Sequence, residues 1–241
     1  MPTPPIVILV AGDPVPRTHE RRGGYASLIR SNAPTFAAAP WVELDVRSLG
    51  VVPDLTHSRA VIVTGSAASV IDLEPWMART AARLRELVLA EVPLLGICFG
   101  HQLLGHALGG RVARNPRGRE MGTVDFTLAR TDPVLGEAGT WSVNATHLDS
   151  VVRLPAGAEL LGATAIEPYA AVRFGENAWG VQFHPEIDAG VLRDYFDARR
   201  SLLEEEGFAV VEAERTVKDA PLGARIIERF LARAQAAATT G

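Results

Sequence analysis

Val92-Pro93-Leu94-Leu95-Gly96-Ile97-Cys98-Phe99-Gly100-His101-Gln102-Leu103-Leu104-Gly105-His106-Ala107-Leu108 carries the chain's one cysteine at its centre. The apolar run up to Ile97 reads as a buried strand, and residues 101–108 read as a helix. A strand that turns into a helix around one side chain, with glycine two residues before and two after, is a nucleophile elbow. The glycines allow a strained turn without Cβ clashes, and the turn pushes the central side chain out of the sheet. The following helix aims its N-terminal N–H groups and positive dipole end at that side chain, which favours thiolate over thiol. A buried structural cysteine is the competing reading, because free cysteine is among the most buried residue types. The flanking glycines and the switch from strand to helix favour the nucleophile.

Before this segment, short apolar runs alternate with helical patterns. Ile6–Val10 is expected as a strand ending in the turn cluster Ala11-Gly12-Asp13-Pro14, a helix follows at about 25–30, and strands follow at 41–46 and 60–64. Pro75–Leu89 has helical spacing, with Met77, Ala81, Leu84, Val88 and Leu89 on one side and arginines on the other. Asp72 or Glu74 is the candidate cap, and Pro75 suits the first helical position. This alternation predicts an α/β fold: a mostly parallel central sheet flanked by helices. From about Arg111 to Phe183 the pattern changes to shorter strands, at 123–128, 141–144, 171–174 and 179–183, an additional set in the second half. Helices are expected at 191–206 and 220–236, the latter with Asp219 as cap, Pro221 in its first turn, and Leu222, Ile226 and Phe230 on one face. With no repeat and no long linker, residues 1–241 read as one domain, on which helices from about 188 onward pack.

Bulk properties exclude several classes of function. The 241 residues are 47% hydrophobic and 22% charged, with a net charge of -4, so there is no basic surface of the kind nucleic acid requires. Arg21-Arg22 and Arg199-Arg200 read as solvated faces. One cysteine forms no internal disulfide, no Cys/His spacing suggests zinc, and no cofactor or metal is expected. Met1-Pro2-Thr3-Pro4-Pro5 lacks a basic leader, and Ile6–Val10 is too short to span a membrane. A reducing cytoplasm suits a reactive thiol.

A thiolate nucleophile needs a base, a group orienting that base, and donors for the oxyanion. Of the six histidines, His184 stands out because it follows the apolar run Trp179-Gly180-Val181-Gln182-Phe183. Strand ends are where α/β sheets place functional groups. In an extended segment, positions i and i+2 point the same way, so Glu186 can reach the imidazole. Taken alone, a surface His-Pro-Glu loop is the plainer reading. His101 and His106 read as packing residues of the post-elbow helix, and Asp13 reads as a turn residue.

Gly-Ile-Cys-Phe-Gly-His-Gln followed by Gly-Val-Gln-Phe-His-Pro-Glu resembles the class I (triad) glutamine amidotransferases. Thr64-Gly65-Ser66 resembles that family's oxyanion-strand loop, and Thr146-His147-Leu148-Asp149-Ser150-Val151 resembles its Ser-His-x-Asp-x-Val segment. The resemblance runs from about Ile6 to Glu186 and is closest to the glutaminase domain of GMP synthase and its free-standing relatives, which have a flavodoxin-like fold. It implies that Cys98 attacks a γ-carboxamide carbon, that His184 moves the protons and that Glu186 orients His184. It also implies that the backbone N–H groups of Gly65 and Phe99 hold the oxyanion, and that Gln102, His147 and Asp149 border the substrate's α-amino and carboxylate groups. Thr-Gly-Ser stands where the family usually has Gly-Gly-Pro, so Thr64 adds a Cβ and Ser66 an N–H.

No phosphate-binding Gly-x-x-x-x-Gly-Lys-[Ser/Thr] loop and no Ser-Gly-Gly-x-Asp pyrophosphatase motif is present, so ATP activation of an acceptor is not expected of this chain. Two enzymatic readings follow. The favoured one is a glutaminase that supplies ammonia to a partner synthetase or transferase. The alternative is a stand-alone γ-glutamyl peptide or amide hydrolase. An inactive binding scaffold is the third reading, and the intact Cys98, His184 and Glu186 set argues against it.

Overall fold

The computed structural model describes residues 3–240. In the first half, β1 (Ile6–Val10), α1 (Pro16–Arg22), α2 (Tyr25–Ser31), β2 (Trp41–Asp45), β3 (Ala60–Val63), α3 (Pro75–Leu89), β4 (Leu94–Ile97) and α4 (Phe99–Ala107) follow one another. Then come β5 (Arg111–Arg114), β6 (Glu120–Leu128), β7 (Gly139–His147), β8 (Asp149–Arg153), β9 (Glu159–Thr164), β10 (Ala171–Gly175) and β11 (Ala178–Val181). The chain closes with α5 (Ala189–Glu205), α6 (Val210–Arg215) and α7 (Leu222–Thr240). One sheet has the order β2-β1-β3-β4-β11-β10-β9-β6-β7, and β5 pairs with β8 in a separate ribbon. From β2 to β11 neighbouring strands are parallel, and from β11 to β7 they are antiparallel. The α/β expectation is met, with the short strands of the second half extending the same sheet.

The inner parallel strands are near-continuous apolar runs because both of their faces are covered. Alternate residues separate onto the two faces. Ile6, Ile8, Ala60, Ile62, Leu95 and Ile97 join Ile29 of α2 and Ile226 and Phe230 of α7 in one buried cluster. Val7, Leu9, Val61, Val63 and Leu94 join Met77 and Leu84 of α3 and Leu103 of α4 in another. Each buried Ile, Leu, Val, Met or Phe side chain contributes roughly 1.5–3 kcal/mol by leaving water, so the strands that carry the elbow are anchored on both faces. A third cluster joins Tyr25 and Leu28 to Val191, Leu192, Tyr195 and Phe196 of α5.

Three local expectations change. Leu89 does not face the core; it is 75% exposed, and Trp76 and Leu87 take places on the buried face of α3 instead. Pro75 does open α3, but neither Asp72 nor Glu74 caps it by its side chain; Glu74 accepts from the Trp76 indole at 3.2 Å. Asp219 accepts from the Ala189 N–H at 3.1 Å, which ties the approach to α7 onto the start of α5. Among the described residues no helix is long and apolar enough to cross a membrane.

Candidate active site

β4 lies between β3 and β11, so the C-terminal ends of three adjacent parallel strands come together. Cys98 follows β4 with φ 50 and ψ -101, a left-handed backbone that a side-chain-bearing residue rarely adopts. Such strain costs about 1–3 kcal/mol and persists where surrounding structure over-determines it. Here the determinants are the two flanking glycines. A Cβ on Gly96 would stand 2.6 Å from the Gly100 backbone, and one on Gly100 would stand 2.4 Å from the Val63 carbonyl oxygen. The turn is therefore closed against α4 on one side and β3 on the other. The Cys98 N–H donates to the Val181 carbonyl at 2.8 Å, fixing the elbow to β11.

His184 lies just past β11, and its N–H donates to the Asn144 carbonyl at 2.8 Å. Its Nδ1 is 2.7 Å from Glu186 Oε1, the i+2 pairing expected from extended chain, and both side chains are buried. Burial disfavours the imidazolium, yet the charges of Glu186 and Cys98 outweigh it and raise the His184 pKa to about 10. With Nδ1 engaged by Glu186, Nε2 is the nitrogen free to serve the cysteine. The structure thus brings Cys98, His184 and Glu186 together.

Gly65 packs at the same place: a Cβ there would be 2.9 Å from His184 Cε1. The substituted loop is held from outside. Thr64 Oγ1 accepts from the Ala11 N–H at 2.9 Å and donates to the Gly65 carbonyl at 3.0 Å, while Ser66 Oγ accepts from the Ala68 N–H at 3.1 Å. The side chains of Thr64 and Ser66 thus both hold the loop by hydrogen bonds. Phe99 is the first residue of α4, and the first N–H groups of an α-helix have no acceptor within it.

Gln102, His147 and Asp149 share the wall of a cleft of about 360 Å³ that Cys98 also lines. Gln102 Nε2 donates to the Asp149 carbonyl at 2.8 Å and to Gln182 Oε1 at 3.0 Å. His147 is fixed between the Asp149 carbonyl and the Glu120 carboxylate, at 3.1 Å from each. Asp149's own carboxylate accepts from Ser69 Oγ at 2.5 Å. His101 is fully buried, tilted against Phe174, and desolvation lowers its pKa to about 3, so it packs as a neutral core residue.

Sequence reasoning missed four contributors. Gln182 Nε2 donates to Cys98 Sγ at 3.5 Å, and the i, i+2 rule that selected Glu186 would have found it two residues before His184. Tyr25 stacks on His184 with ring centroids 6.1 Å apart, and its hydroxyl is 2.5 Å from that of Tyr195. Burial, and then the neighbouring Tyr195, Glu186 and Cys98, push the Tyr25 pKa well above its ordinary value, which keeps it a neutral donor. Arg199, read above as part of a solvated face, instead lines the cleft. It donates to Thr146 Oγ1 at 3.0 Å and lies over the Tyr195 ring. No group of three or more His, Cys, Asp or Glu among the described residues is placed to hold a metal ion.

Comparisons with known proteins bear on the family and the fold. Residues 43–197 match the family described as glutamine amidotransferase class-I. A GMP synthase [glutamine-hydrolyzing] of Porphyromonas gingivalis (strain W83) is 41% identical over 137 residues, which are 56% of this chain and 26% of that protein. The chain thus matches about a quarter of the length of that relative. A glutamine amidotransferase-like protein of Schizosaccharomyces pombe is 26% identical over 200 residues, covering 78% of this chain and 81% of that one. Among solved structures, a glutamine amidotransferase from Thermotoga maritima superposes with TM-score 0.73 at 19% identity over 97% of this chain and 98% of its own. A glutamine amidotransferase from Methylobacillus flagellatus gives 0.71 at 23% identity, over 97% and 94%. At these identities the likeness to the solved structures is one of fold. The family match covers well over half of the chain, and together with the shared fold it shows that this protein belongs to the class-I glutamine amidotransferases, a family of enzymes.

Proposed function

We propose that the chain hydrolyses the γ-carboxamide of glutamine through a γ-glutamyl thioester on Cys98, releasing glutamate and ammonia for a partner synthetase or transferase. The observation that carries this reading is the buried His184–Glu186 pair, joined at 2.7 Å beside a cysteine held in a left-handed elbow at the head of α4. The Cys98 thiol gives its proton to Nε2 of His184, and sulfur adds to the amide carbon. The oxyanion that forms takes hydrogen bonds from the Gly65 and Phe99 N–H groups, and removing one such donor typically costs about 2.7–4 kcal/mol of barrier. His184 then protonates the departing nitrogen, and water, deprotonated by the same imidazole, releases glutamate. Glu186 keeps the ring in the required orientation throughout. Gln102, His147 and Asp149 border the glutamyl end, and transfer of ammonia to a synthetase is supported by the relatives named GMP synthase.

A stand-alone γ-glutamyl hydrolase is the second reading, favoured by one observation: the cleft beside Cys98 adjoins a second hollow that shares Arg114, Arg119 and Leu148 with it, which offers room for a leaving group larger than ammonia. Assay of the purified chain on glutamine and on γ-glutamyl dipeptides separates the two. Cys98→Ala is expected to abolish turnover of both, with glutamate release as the readout. An active Cys98→Ala protein would remove the cysteine from the mechanism.

A further inference from the structure

We propose that the mouth of the cleft is a receptor for a second carboxylate, so that the favoured substrate is a γ-glutamyl amino acid in which the amine leaving group carries its own carboxylate. This rests on the thioester reading above and, of its two forms, deepens the second, the stand-alone γ-glutamyl hydrolase, whose leaving group is an amino acid instead of ammonia. The charges on the wall lead to it. Arg114, Arg119 and Arg199 all line the cleft that holds Cys98. Arg119 is neutralised by Glu206 through two parallel hydrogen bonds of 2.7 and 2.8 Å. Arg114 and Arg199 have no carboxylate within ion-pair distance among the described residues; Arg199 bonds a hydroxyl and covers an aromatic ring.

A γ-glutamyl group is a zwitterion that brings one ammonium and one carboxylate. Asp149, whose carboxylate is steadied by Ser69, offers a counter-charge for the ammonium. One of the two remaining guanidinium groups serves the α-carboxylate. The other has no counterpart on glutamine, and a planar guanidinium suits a carboxylate by forming two parallel hydrogen bonds. There is also space for a larger leaving group. A second, open hollow of about 460 Å³ shares Arg114, Arg119 and Leu148 with the first, and Glu206 and Phe208 also line it. Arg199, Leu202, Glu206 and Phe208 lie beyond the family-matched residues 43–197, so one side of this wall is outside the matched segment, while Arg114, Arg119 and Leu148 are within it.

The reaction balances with water alone. Cys98 Sγ bonds to the γ-carbonyl carbon as the C–N bond breaks, and the nitrogen leaves with the proton from His184 as a free amino acid. Water then cleaves the thioester to give glutamate and restore the thiol.

The test compares kcat/KM for γ-glutamylglycine and γ-glutamylglycinamide, which differ only in the distal charge, alongside glutamine. The wild-type protein is expected to favour γ-glutamylglycine at least tenfold. That ratio should fall toward one in Arg114→Gln or in Arg199→Gln, and be partly kept by lysine at the affected position. A wild-type ratio of one, with glutamine still hydrolysed, overturns the inference and leaves the thioester reading standing. A ratio unchanged in both variants also overturns it, because the arginines then serve only the glutamyl end. Failure of all three substrates with Cys98 intact overturns the thioester reading itself. Thermal unfolding and circular dichroism of each variant establish that it is folded.

Discussion

At the scale of single residues, Cys98 and His184 are both held away from their ordinary states. The strain at φ 50 belongs to the backbone, so it should answer to the side chain that replaces Cys98. Cys98→Ala keeps the Cβ and the strain, whereas glycine enters this region freely. Relief of about 1–3 kcal/mol exceeds the roughly 0.5–1 kcal/mol of entropy that glycine forfeits on folding. Cys98→Gly is therefore expected to unfold at a higher temperature than Cys98→Ala by calorimetry, with both proteins inactive. His184 is raised from 6.5 to about 10, with the charges on Glu186 and Cys98 overcoming burial. A pKa higher in the folded state means that proton binding stabilises that state. The contribution is complete below about pH 6.5 and is lost as pH climbs through about 10. Glu186→Gln removes a charge that holds the proton, so the His184 pKa should fall. Titration by nitrogen-15 NMR reads this directly, and denaturant melts should show a smaller alkaline loss of stability. A histidine whose titration did not move would count against Glu186 as its orienting group.

At the scale of elements, the elbow depends on how closely α4 approaches β3. Gly100→Ala would place a methyl 2.4 Å from the Val63 carbonyl oxygen, so helix or strand must move. Overpacking of this kind costs about 1–3 kcal/mol, and activity should fall further than stability because the Phe99 N–H, the proposed oxyanion donor, moves with the helix. Urea melts and glutaminase assays on the same preparation check both parts. The close approach was legible in the sequence because glycine has few reasons to recur on both sides of a cysteine. The parallel strands were legible as well, since Ile6–Val10 and Ala60–Val63 are apolar without interruption. Five elements escaped. α1 is polar around its whole circumference, with only Thr18 buried, and so has no periodicity to read. β5 and β8 pair outside the main sheet and end in arginines, β9 lacks alternation, and α6 has only six residues. Gln102, His147 and Asp149 were placed at the cleft by motif alone. Arg199 was misjudged because its place depends on Thr146, 53 residues away, which only the folded chain brings near it; Tyr195 is one turn earlier on α5.

At the scale of the whole molecule, α7 closes the core on the face of the sheet opposite α3 and α4. Phe230 is 1% exposed and meets the Trp179 ring at 6.5 Å, one strand-length from the His184 turn. Phe230→Ala should cost about 3–5 kcal/mol, and unfolding should remain a single transition if residues 3–240 behave as one cooperative unit. Fluorescence and circular dichroism melts that coincide would support this, and two separated transitions would refute it. The order of strands across the sheet also sets the order of events in time. The cysteine strand is flanked by one neighbour made earlier, β3, and one made much later, β11. During synthesis Cys98 leaves the ribosome long before His184 exists, and the parallel pairing that seats β4 is half complete until β11 arrives. On the proposed mechanism the thiol thus passes through its whole infancy without a base, and the nascent chain acquires its chemistry only when the His-Pro-Glu turn emerges and closes the last parallel seam.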